Sequence, residues 1–148
     1  QITSDRIYLW QVATTGIQRR PHLGWGFDGF GIAYPHVEHR DKVSQVLELG
    51  QLSFAFLRPD GIPEVAPLPS NKAHNLFLDT ALSVGIWGML AYLMLLGLGV
   101  LGVMRSPYRG IEAIAIVYLI FSFTWFECAQ FTHLVWWGLS CTQASRKV

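Results

Sequence analysis

Twenty-five consecutive residues without a charge, Thr80 to Met104 (TALSVGIWGMLAYLMLLGLGVLGVM), constrain this 148-residue chain more than any other feature. About 20 apolar residues cross the hydrocarbon core of a bilayer. A buried helix of a soluble domain is rarely this long and this uncharged, so the run predicts a transmembrane helix over 80–104. Its glycines at 85, 88, 97, 99 and 102 fit, because membrane helices tolerate Gly and use it for close packing. The charges lie elsewhere. Residues 1–79 hold 15 of the 21 Asp, Glu, Lys and Arg, and residues 80–148 hold six.

Downstream, RSPYRG (105–110) breaks the helix with Pro107 and carries Arg105 and Arg109, which marks a short cytoplasmic loop. Ala113–Phe126 and Cys128–Ser145 are uncharged on either side of Glu127, and Arg146 and Lys147 follow. Basic residues at both ends predict a short helical hairpin over 111–145: out along 112–126, a turn near Glu127–Gln130, and back along 131–145. Residues 146–148 form a cytoplasmic tail. Each arm of about 15 residues is roughly 22 Å, short for a bilayer core of about 30 Å, so the arms are re-entrant or packed on other helices. A single long tilted span is the alternative. Residues 1–79 then lie on the far side, the periplasm of a Gram-negative cell. The chain starts Gln-Ile-Thr with no signal peptide ahead of its first long apolar run, and reads as the C-terminal piece of a longer protein.

Within 1–79, TSDRIYLWQVATTGIQRRP predicts a helix with Ile7, Trp10, Ala13 and Ile17 on one face, capped by Ser4 or Asp5 and stopped by Pro21. Four glycines between Gly24 and Gly31 predict a tight turn region. Residues 35–72 read as a loop with one short helix around 41–50. The expected fold class is an all-α polytopic membrane protein fragment. It has a large periplasmic loop with amphipathic helices, then about three transmembrane or re-entrant helices.

Chemistry concentrates ahead of the span. With Ser70 or Asn71 as N-cap, His74 falls in the first helical turn, where the macrodipole disfavours imidazolium. A neutral His74 accepts a proton or hydrogen bond near pH 7. The free N–H groups of that turn, with the Asn75 amide, offer a place for an anion such as phosphate. The plainer reading is an interfacial polar residue. Arg6 sits against the dipole at the start of its own helix. Its planar fork suits a phosphate, though a solvated surface arginine explains it as well. Arg19, Arg20 and His22 form a basic cluster that is solvated, near lipid headgroups, or holding an anionic substrate through Arg19 and Arg20. His36 and His39 in PHVEHR are too few for a metal site. Glu127 and His133, ionisable groups in apolar sequence, are functional suspects by position, but at a hairpin turn Glu127 simply faces water. A net charge of +1 without a basic, aromatic-interleaved patch gives no sign of a nucleic-acid partner. Cys128 and Cys141 read as packing residues. No Walker A, GxSxG or HExxH motif is present.

Taken in order, these pieces resemble a known family. Arg6 and Trp10 in RIYLW, the proline and LGWG turn (Leu23 to Gly26), Phe30, and then AHNLFLDTALSVGIWGML ahead of an apolar span look like the O-antigen ligase family. That family comprises O-antigen ligases, some O-antigen polymerases and related oligosaccharyltransferases. The resemblance covers about residues 5–104. Ser83 stands where an acidic residue is often found, with Asp79 a turn earlier. The resemblance implies a multi-pass enzyme of the bacterial inner membrane that takes a polyprenyl-diphosphate-linked glycan as donor, with its active site in the large periplasmic loop. It implies no metal and no cofactor. Arg6 matches the arginine that engages the donor diphosphate, and His74 the histidine near the acceptor hydroxyl. The acceptor is a lipid A–core sugar for a ligase or a growing glycan for a polymerase. A transport-associated membrane protein is the alternative of another class.

Overall fold

The computed structural model describes residues 2–106, 110–124 and 129–144. The order of elements is α1 (Ile2–Arg19), α2 (Gly29–Glu38), β1 (Gln45–Leu49), β2 (Ser53–Leu57), β3 (Pro63–Pro67), α3 (Leu76–Met104), α4 (Ile111–Thr124) and α5 (Ala129–Ala144). The architecture is mixed α/β and corrects the all-α polytopic membrane fragment that the sequence predicts. Of the described helices, α3 alone is long and apolar enough to cross a membrane, where the sequence predicts about three transmembrane or re-entrant helices.

The sheet replaces the expected loop and the short helix around 41–50. Its strands run antiparallel in the order β1-β2-β3, with Phe54 opposite Leu49 and Ala66, and Phe56 opposite Val46 and Glu64. Strand periodicity is the cause: Phe54 and Phe56 alternate around Ala55, and both rings are buried. Each such burial is worth about 2–3 kcal/mol, more than helix propensity across five residues. Pro63 and Pro67 stand at the two ends of the edge strand, where a missing N–H costs least. The buried face of the sheet meets Tyr34 and His39 of the α2 end, with His39 5.5 Å from the Phe54 ring.

Helix α1 begins at Ile2, ahead of the expected cap, and buries Leu9, Val12 and Ala13, while Ile7 is exposed. Its Gly16 lets Leu82 of α3 and Ala33 of α2 come against the backbone. A Cβ there would lie 2.7 Å from Leu82 Cδ1. These contacts and the sheet form one hydrophobic core.

Helix α3 breaks. At Gly85 the backbone adopts φ 69°, ψ −172°, which divides the helix into a nine-residue segment, 76–84, and a nineteen-residue segment, 86–104. The second segment alone is about 28 Å long, close to the ~30 Å of a bilayer core. Groups freed by the break are taken up by the turn after α1. Trp25 N donates to the Leu82 carbonyl (2.8 Å), Gly26 N to the Ser83 carbonyl (2.9 Å), and Ile86 N to the Pro21 carbonyl (2.8 Å). The Gly24–Gly31 turn region therefore shifts to residues 20–28, and its work is to dock on the break. Gly24, at φ 68°, permits it, since a Cβ would meet the Leu82 carbonyl at 2.6 Å.

Beyond the break, α4 packs antiparallel to α3. Phe123 lies beside Phe77 at the start of α3, and Tyr118 hydroxyl bonds Tyr92 hydroxyl (3.0 Å). Leu139 of α5 rests on Gly99. With 14 and 16 residues, α4 and α5 are about 21 and 24 Å long, shorter than a bilayer core. The expected turn near Glu127–Gln130 falls partly outside the described residues. Glu127, Cys128, Arg109, Arg146 and Lys147 lie outside them entirely.

Candidate functional site

The predicted N-cap is displaced. Asn75, not Ser70 or Asn71, caps α3: its carboxamide oxygen accepts from Phe77 N (3.0 Å) and Leu78 N (3.1 Å), and its amide nitrogen donates to the Phe123 carbonyl (3.3 Å). Two consequences follow. Those N–H groups are occupied by Asn75 rather than open to an anion. His74 stands one residue before the cap, outside the first turn, in the left-handed region at φ 55°. For a non-glycine residue that conformation costs about 1–2 kcal/mol. Asp79 holds it in place, because Oδ1 of this buried carboxylate accepts from Ala73 N at 2.8 Å.

Helix α1 approaches from the other side. Trp10 Nε1 donates to the Ala73 carbonyl (3.0 Å), so both polar groups of Ala73 are gripped, one by α1 and one by α3. Arg6, one turn ahead of Trp10, is thereby held near enough for its charge to act on His74. Burial of the imidazole, and then the Arg6 charge, hold the His74 pKa below its ordinary 6.5. Its Nε2 lies 3.5 Å from Ser70 Oγ, whose own proton goes to the Lys72 carbonyl. Neutral His74 thus has a cause in the structure, although not the helix dipole. The pair expected from sequence is coupled electrostatically, with 67 residues between its members.

Arg19 and Arg20 belong elsewhere. They are 13 and 14 residues along α1 from Arg6, about 20 Å away. Arg19 donates to the His36 carbonyl, and the Arg20 guanidinium sits 4.2 Å over the Trp25 ring. Trp25 stacks on His36 at 5.3 Å and donates its Nε1–H to the Gly16 carbonyl (2.8 Å). Burial, then Arg20 and Arg19, lower the His36 pKa. This Arg–Trp–His stack locks the turn that docks on the helix break. His36 on Trp25 and His39 on Phe54 are aromatic packing partners. Among the described residues no three His, Cys, Asp or Glu gather as a metal set.

What the sequence names without assigning a role is Asp79. Its second oxygen, Oδ2, is buried with no hydrogen-bond partner, and burial pushes the carboxyl up from 3.8 to about 6 despite help from Ala73 N. It faces a cleft of about 290 Å³ that runs along segment 76–84 to the break. Lys72 crosses the cleft mouth in an ion pair with Asp28, itself left-handed at φ 56°. The available signal is an acidic residue immediately ahead of an uncharged span.

No family model, curated protein or solved structure matches the chain.

Proposed function

We propose that this chain carries the reaction centre of a membrane glycosyltransferase, with Arg6 and His74 as its working pair. In this reading a polyprenyl-diphosphate-linked glycan of the O-antigen type is moved to a lipid A–core sugar at the periplasmic face of the inner membrane. The observation that carries the reading is that the charge of a phosphate-suited guanidinium, Arg6, acts on a neutral imidazole, His74, just ahead of α3, whose second segment, 86–104, is of bilayer length.

The chemistry suits these groups. A diphosphate is already a good leaving group and needs its charge stabilised, which Arg6 does with two parallel N–H donors. The acceptor hydroxyl needs a base within hydrogen-bond reach, and neutral His74 is one. As the hydroxyl oxygen bonds to the anomeric carbon, its proton passes to His74. The carbon–oxygen bond to phosphate breaks, and its electron pair leaves with the polyprenyl diphosphate. An incoming diphosphate also offsets the Arg6 charge that depresses His74, so the imidazole becomes more basic when the donor is bound. A lipid-linked donor requires this centre at the bilayer surface, and segment 86–104, which leaves Trp87, Met94 and Leu98 exposed, is the membrane anchor.

The test is complementation of a host lacking its own ligase, with lipopolysaccharide resolved on a gel and protein levels matched. Wild-type protein restores the O-antigen ladder, while His74→Ala leaves bare core and lets lipid-linked polymer accumulate. A ladder with His74→Ala equal to wild type would remove His74 from the reaction. A bare core with wild type, accompanied by longer lipid-linked chains, would make the acceptor the growing glycan and the enzyme a polymerase.

A further inference from the structure

The turn that docks on the break in α3 leaves two large apolar side chains outside the core. Leu23 is 82% exposed and Phe27 95% exposed, while Trp25 between them is buried. Arg19 and Arg20, where the turn begins, are exposed as well. We infer that residues 19–27 form an interfacial anchor, which seats Leu23 and Phe27 in the headgroup layer of an anionic bilayer and sets Arg19 and Arg20 against its phosphates. The inference rests on the membrane placement of segment 86–104 proposed above.

Position along α3 decides the occupant. The His22–Leu23 peptide lies directly on Gly85: a Cβ there would fall on the His22 carbonyl and 2.7 Å from Leu23 N. Ile86 N, at the start of the bilayer-length segment, donates to the Pro21 carbonyl (2.8 Å). Leu23 therefore leaves the backbone at the level where the apolar segment begins. Phe27 follows Gly26, whose N–H is held by the Ser83 carbonyl (2.9 Å), two residues or about 3 Å of helix ahead of the break. At the same level α3 exposes Val84, Ile86 and Trp87. With segment 86–104 in the bilayer, the membrane surface meets this turn, and no further partner is needed to cover Leu23 and Phe27.

Charge selects the lipid. Residues 19–27 contain two arginines and no acid. Arg19 donates one N–H to the His36 carbonyl and Arg20 lies over the Trp25 ring. A guanidinium has five N–H donors, so each keeps others for phosphate oxygens. The next acid along the chain, Asp28, is engaged by Lys72. Aromatic and leucine side chains beside arginines are the composition of an interfacial anchor, and each basic residue adds attraction to an anionic leaflet. The turn is also tied to α1, because Trp25 Nε1 donates to the Gly16 carbonyl (2.8 Å). Anchoring it sets the height of α1, and with it of Arg6, over the bilayer.

The experiment measures depth in the full-length protein in nanodiscs, cysteine-free except for one bimane-labelled site. Leu23→Cys and Phe27→Cys are compared with Leu52→Cys, between β1 and β2, and Leu98→Cys, in the apolar segment. All four side chains are exposed, so labelling them leaves the core intact. One quencher is lipid brominated near the headgroup end of its acyl chains, in phosphatidylglycerol–phosphatidylcholine mixtures. The other is aqueous acrylamide. Labels at 23 and 27 are expected to be quenched by bromolipid about threefold more than the label at 52, and to be shielded from acrylamide. That lipid quenching falls by about half in phosphatidylcholine alone, or in about 1 M salt, where the screening length is ~3 Å, while quenching at 98 holds. Labels at 23 and 27 that behave like the label at 52 would overturn the anchor. Equal quenching at 23 and 27 in neutral and anionic lipid would overturn the part given to Arg19 and Arg20. Lipid quenching at 98 without any at 23 or 27 loses the anchor and keeps the membrane placement. No lipid quenching at 98 removes that placement and the anchor with it.

Discussion

Residues 73–79 hold the centre by opposing demands on single side chains. Asp79 anchors the Ala73–His74 turn with one oxygen and leaves the other buried and unmatched. Its folded pKa, about 6, lies above its ordinary 3.8, so between these values the folded protein binds more protons than the unfolded chain. Stability from this group therefore falls as pH rises through 4 to 6. His74 acts in the opposite sense: its lowered pKa means the unfolded chain binds more protons below 6.5, and stability rises with pH there. Replacing Asp79 with Asn keeps an oxygen for Ala73 N and removes the buried charge. The variant is expected to be more stable than wild type by about 1–3 kcal/mol above pH 6, with the gap closing towards pH 4. Denaturation in urea at several pH values measures this, and a gap that grows on acidification would contradict it. His74 and Arg6 were legible in the sequence as chemistry, while their meeting was not, because it depends on Trp10 reaching the Ala73 carbonyl. Asn75 was legible as a polar neighbour but serves as the cap.

Among the elements, α3 shows most clearly what a sequence conceals. Its apolar run reads as one continuous span because glycine is ordinary in membrane helices and Gly85 looks like Gly88 or Gly97. The backbone separates them. Gly85 occupies a region open only to glycine, and a Cβ would fall on the His22 carbonyl, whereas a Cβ on Gly97 meets nothing. Gly85→Ala is expected to lower stability by about 3 kcal/mol or more, and Gly97→Ala to leave it within about 1 kcal/mol of wild type. Thermal unfolding of both variants in the same detergent decides this; equal melting temperatures would deny the break its role. The sheet was hidden for another reason. The strands have five residues each, two prolines bound β3, and only the Phe54–Phe56 alternation marks β2, too little to outweigh a loop reading. The α1 helix was legible, but its buried face turns from Ile7 to Leu9 and Val12, because Gly16 sets the approach of α2 and α3.

The whole molecule has two surfaces of different character joined at the break. Above it, α1, α2, the sheet and segment 76–84 share a core, and most of the chain's charged residues lie on this side. Below it, α3 exposes Trp87, Met94, Leu98 and Met104, α4 Val117 and Ile120, and α5 Leu134 and Trp137, an extended apolar belt. Only 17% of the most apolar window of α3 is buried within the protein, and in the membrane placement proposed above lipid covers the rest. Single cysteines at Leu52 and at Leu98, in a background with Cys128 and Cys141 replaced by Ser, separate the two surfaces. A water-soluble maleimide added to intact periplasm-accessible cells is expected to label position 52 and not 98. The opposite pattern would reverse the membrane placement. Whether Arg6 and His74 act together in glycan transfer, as proposed above, is decided by purified full-length protein given lipid-linked glycan and lipid A–core. Rates would be compared for wild type, Arg6→Gln, His74→Gln and the double variant. The account predicts that each single change slows transfer by about 10²-fold or more and that the double loses little beyond the worse single, as groups acting together do. Transfer by His74→Gln at the wild-type rate, or losses that simply multiply in the double variant, would contradict it.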